Sequence, residues 1–155
     1  MHNNLVPRIL RAVALVLIVS GFVATSTLAM AESDSGPGNR PCSNRTLSGD
    51  YGFALEGVII GPNIPLRGVV MQHYDGRGHI TQVDHVVDGG NPPAQEWAPG
   101  TGTYTVNPDC TGSAVIYSSS SPFPLNVHFV VVSHGTEIHQ VVDGNAVSTV
   151  GRKVD

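Results

Sequence analysis

The signatures of the common enzyme chemistries are missing from this chain. There is no G-x-S-x-G elbow, no H-E-x-x-H and no S-x-x-K with its partner motifs, so the familiar serine-hydrolase, zinc-protease and penicillin-binding machineries are not encoded. No phosphate-cradling loop is present. Gly76 and Gly78 begin a dinucleotide-like pattern, but the third glycine never comes, and a turn between two strands is the wrong context for one. Basic residues are few, with 8 Lys and Arg against 12 Asp and Glu. That balance gives no cationic surface to neutralise phosphates, which argues against nucleic acid and anionic lipid as partners. Cysteine is scarce too. Cys42 and Cys110 are the only two, with no C-x-x-C pair and no histidine at zinc-site spacing, so thiol redox and zinc chemistry are not indicated.

What is present begins with an export signal. Arg8 and Arg11 are the only charges before Glu32; an apolar run from Ala12 to Thr25 follows, and Ala29, Met30, Ala31 form an Ala-x-Ala cleavage pattern. The run falls short of the ~18 residues expected of a membrane-spanning helix, which predicts a cleaved signal peptide over 1–31 and no membrane association afterwards. Cleavage removes two arginines and no acid, leaving 6 basic and 12 acidic side chains and a net charge of −6. Export, secreted or periplasmic, delivers the two cysteines to a compartment where a Cys42–Cys110 disulfide persists. Residues 32–46 are polar with Gly and Pro and read as a flexible leader; 47–155 read as one folded domain.

From Leu47 the chain consists of short segments rich in Val, Ile, Thr and aromatics, separated by Gly, Asp, Asn and Pro. Eight strands are predicted, beginning near Asp50, Arg67, His79, Thr101, Gly112, Leu125, Glu137 and Ala146. Asp75 to Gly78 and Asp143 to Asn145 supply tight hairpin turns. Sequential strands on short turns form a meander, and eight in so small a domain are best satisfied by an all-β, antiparallel up-and-down barrel; a two-sheet β-sandwich is the competing arrangement. Alternation puts Tyr51, Phe53 and Leu55 on one face of the first strand, predicted to point inward.

Cys42, the Gly49-Asp50-Tyr51-Gly52-Phe53 run, the Asp75 to Gly78 hairpin and the stretch from Gly102 to Gly112 resemble a group of small exported bacterial proteins without an assigned function. In strand count and length the chain also looks like allene oxide cyclase and lipocalin-like barrels. The resemblance implies a β-barrel and no particular reaction.

Six histidines follow the predicted cleavage site. His79 and His85 share a strand face but stand some 20 Å apart at ~3.3 Å per residue, too far to share a metal. His128, Glu137 and His139 fall on adjacent strands, yet no metal site or cofactor is predicted from them. Trp97, the only tryptophan, lies in the longest loop, Asp88 to Gly100, placed to cover a barrel end. Glu56, His85, Trp97 and His128 are the ligand-binding candidates if the barrel encloses a small apolar molecule. A cofactor-independent isomerase or cyclase using Glu56 or His128, and a surface-interaction protein using exterior valines, are the other two functions the chain admits. Oligomeric state is not legible.

Overall fold

The computed structural model describes residues 40–155. The signal peptide expected over 1–31 and the leader as far as residue 39 lie outside the described residues. Eight antiparallel strands run in chain order: β1 (Ser48–Ile59), β2 (Ile64–Asp75), β3 (His79–Asp88), β4 (Ala98–Val106), β5 (Thr111–Ser118), β6 (Leu125–Val132), β7 (Glu137–Val142) and β8 (Ala146–Lys153). Each pairs with its sequence neighbours, and β8 returns to β1 with Phe53 opposite Gly151, so the sheet closes into a barrel. Closure excludes the sandwich and, among the described residues, leaves no strand without a partner on either side.

The period-2 pattern explains which side chains fill the barrel. In β7, Ile138, Gln140 and Val142 are buried while His139 and Val141 are exposed. The predicted aromatic face of β1 does point inward, with Tyr51 and Phe53 buried. Two phenylalanines need a bare backbone opposite them. A Cβ at Gly151 would lie 2.2 Å from the Phe53 ring, and one at Gly112 would lie 2.3 Å from the Phe129 ring, so these cross-strand glycines are seats for the rings.

Strands β2 and β4 each begin about three residues earlier than the sequence suggested, taking in Pro65 and Pro99. A proline is tolerated next to the start of a strand, where its missing N–H is least costly. Both carbonyls remain in use: Pro65 O accepts from Gly89 N–H and Pro99 O from Ser119 N–H, each at 2.9 Å.

One end of the barrel is sealed by residues that composition assigned to the leader. A Cys42–Cys110 disulfide joins them to the β4–β5 turn, and Asn44–Thr46 form a 3-10 turn. The Asn44 side chain accepts from Val106 N–H at 2.8 Å, and Tyr104 Oη lies 3.0 Å from the carbonyls of both Asn44 and Leu47. Leu47 is 0% exposed. The segment is polar because its groups bond to the barrel end, which composition alone reads as flexibility. Beneath Leu47, Tyr51, Tyr74 and Tyr104 meet edge to face with ring centroids 5.3 and 5.0 Å apart. The Tyr51 hydroxyl donates to Gly135 O. Burial pushes the Tyr51 and Tyr74 hydroxyls up, and burial with Asp75 nearby pushes Tyr104 up to about 12.

Candidate functional site

At the opposite end the barrel is less well covered. The inward positions Leu55, Leu66, Val86 and Leu125 are only partly buried. Between this mouth and the sealed floor, six polar side chains point into the barrel: Gln72, Gln82, Asp84, Ser118, Gln140 and Thr149. Four of them, with Tyr74, form a continuous chain of hydrogen bonds. Tyr74 Oη donates to Gln72 Oε1 at 2.7 Å, Gln72 Nε2 to Gln82 Oε1 at 2.8 Å, and Gln82 Nε2 to Asp84 Oδ2 at 2.9 Å. Ser118 Oγ reaches the same Asp84 oxygen from across β4. Gly100 lies between Gln82 and Ser118 in register, and a Cβ there would meet Gln82 Cγ at 2.9 Å. Its missing side chain leaves room for the crossing.

A buried polar atom without a partner is costly, so unsatisfied ones are informative. Among the described residues two buried side-chain oxygens have none: Asp84 Oδ1 and Thr149 Oγ1. Both belong to the inward set of the mouth half or the level just below it.

The residues singled out from sequence lie elsewhere. Glu56 is on the outer face, 3.6 Å from Arg67, and both side chains are 68% exposed. His128 is also on the outer face, with Nδ1 3.1 Å from Asp143. Neither is placed to act as acid or base inside the barrel. His85 is half-buried on the outside of β3; its Nδ1–H donates to the Glu96 carbonyl at 2.6 Å, and its ring meets Trp97 edge-on at 6.0 Å. Trp97 is 46% exposed. The loop therefore leans its indole on the outer wall beside His85, and Trp97 does not plug the barrel. Glu56 and His85 do border one common hollow of about 530 Å³, with Arg67 and Val69, and His128 borders another of about 760 Å³ with His139 and Val141. Both are shallow dips in the outer surface, open to solvent, whereas small-molecule sites bury most of their ligand.

Three of the four remaining histidines are each engaged with a single carboxylate: His73 with Asp50 at 2.7 Å, His79 with Asp75 at 3.1 Å and His139 with Glu137 at 2.6 Å, while His134 lies in the turn between β6 and β7. His139 and Arg152 together hold the Glu137 carboxyl below its usual range. No group of three or more His, Cys, Asp or Glu gathers for a metal among the described residues.

Sequence reasoning missed the lumenal polar set, although a signal for it was available. Gln72 shares strand parity with Val70 and Tyr74, and Gln82 and Asp84 share it with Ile80, so polar residues stand on the same strand face as apolar or aromatic ones. No protein-family model and no curated protein matches the chain.

Proposed function

We propose that the protein is an exported binding module that holds one small, mostly apolar molecule in the mouth of its barrel, in the manner of lipocalin-like barrels. The observation carrying this reading is the asymmetry of the interior: a floor of aromatic and aliphatic residues at one end, and at the other partly buried leucines above a polar set in which two oxygens, Asp84 Oδ1 and Thr149 Oγ1, are left unpartnered. A barrel that only had to be stable would gain by filling that level with apolar side chains. The disulfide fits a non-reducing compartment, which supports secretion or a periplasmic location.

The test is native mass spectrometry of the protein purified gently from its own host. A non-covalent adduct is expected, and it should disappear in Leu125→Trp, which fills the mouth. An adduct-free protein, or an adduct indifferent to Leu125→Trp, overturns the reading.

A further inference from the structure

The polar chain inside the barrel has a direction. From Tyr74 through Gln72 and Gln82 every donor points onward to Asp84, and the Ser118 hydroxyl points to it from the other side. Both of these last bonds end on Oδ2. Asp84 is 2% exposed, and its second oxygen, Oδ1, has no partner among the described residues. Nor does a cation approach it: all six Lys and Arg side chains among the described residues are exposed, and none pairs with Asp84. A buried carboxylate that accepts two hydrogen bonds on one oxygen and none on the other lacks a donor, and a positively charged donor satisfies it best.

The surroundings set the rest of the ligand. Asp84 lies one inward position below Val86, at the rim, where Leu55, Leu66 and Leu125 are partly exposed. Followed inward along β3 from Val86, the next lumenal side chain is Asp84. Resting on the proposal that the mouth is a ligand site, we infer that its occupant is a small amphiphile with a protonated amine, the amine donating to Asp84 Oδ1 and the hydrocarbon lying against the leucines. The acidic balance of the chain attracts cations of this kind and repels carboxylates.

Isothermal titration calorimetry with n-hexylamine, 1-hexanol and hexanoate at neutral pH tests the inference on the intact protein. Hexylamine should bind about tenfold more tightly than hexanol, the factor expected from one charge-assisted hydrogen bond, and hexanoate most weakly. Asp84→Asn, which keeps the shape and removes the charge, should abolish the amine preference, so that hexylamine binds no more tightly than hexanol. If that variant does not fold, Ser118→Ala serves instead: freeing a lone pair on Oδ2 should strengthen the preference, and an unchanged ratio overturns the inference. Equal binding of the three probes overturns the amine assignment alone. Binding of none of them overturns the mouth as a site.

Discussion

The two ends of this barrel are built from the same eight strands and yet differ in kind. At the sealed end the inward residues are large and fully covered, and the chain before β1 is tied across them by a disulfide, a 3-10 turn and hydrogen bonds from Tyr104. At the mouth the inward residues are smaller or polar, the rim leucines are partly exposed, and a carboxylate oxygen is left unpartnered. Stability is concentrated in one half, which leaves the other free to carry groups that cost stability.

The largest effect expected from that division is at the disulfide. Replacing Cys42 and Cys110 with serine removes a cross-link between residues 68 apart, which chain entropy alone values at ~4 kcal/mol. Urea denaturation measures it, and a loss under about 1 kcal/mol would mean that the hydrogen bonds around Tyr104 seal the end unaided. A matched pair of truncations sharpens the contrast. Leu47→Ala at the sealed end should cost ~2–5 kcal/mol and Leu66→Ala at the rim about 1 kcal/mol; equal losses would mean the two ends are equally packed.

Acid provides a subtler comparison. The carboxyls with depressed pKa values all lie at the sealed end: Asp75, lowered to about 2 by the N–H groups of His79 and Arg77, Asp109, lowered by Thr111, and Glu137, lowered by His139 and Arg152. A group whose folded pKa is lowered stabilises the fold above its unfolded value, and that contribution is lost as pH falls through the folded one. The melting temperature should therefore hold steady to about pH 4 and decline toward pH 2. Hydrogen exchange should increase first in the Asp75 and Asp109 turns, and Asp75→Asn should flatten the decline. Loosening that began at the mouth would break the comparison.

Strand number, order and most turns were legible because a half-buried strand writes its orientation into alternate residues, and because Asp75-Gly76-Arg77-Gly78 can hardly be anything but a turn. The Asp75 carboxylate accepts from three successive backbone N–H groups there, at 2.7 to 3.0 Å. The docking of Ser43 to Thr46 was not legible, since polar side chains that bond to a barrel end look the same in sequence as polar side chains in water. Residue type misdirected the search for a site. Glu56, His85 and His128 draw attention as reactive groups, but their strand parity is that of the outer wall, whereas Gln72 and Gln82 look unremarkable and share the parity of the core. Parity was the better guide than chemistry.

Both described ends of the chain leave from the sealed face. Cys42 N–H is bonded to Pro108 O at 3.1 Å, and beyond β8 Val154 N–H is bonded to Asp50 O at 2.9 Å. Anything joined just before Cys42 or just after Val154, whether a fusion partner, an affinity tag or a solid support, would attach at the sealed end, away from Leu55, Leu66 and Leu125. The folded domain is in this sense already oriented for display: tethered at either of these two points, it presents its less covered end.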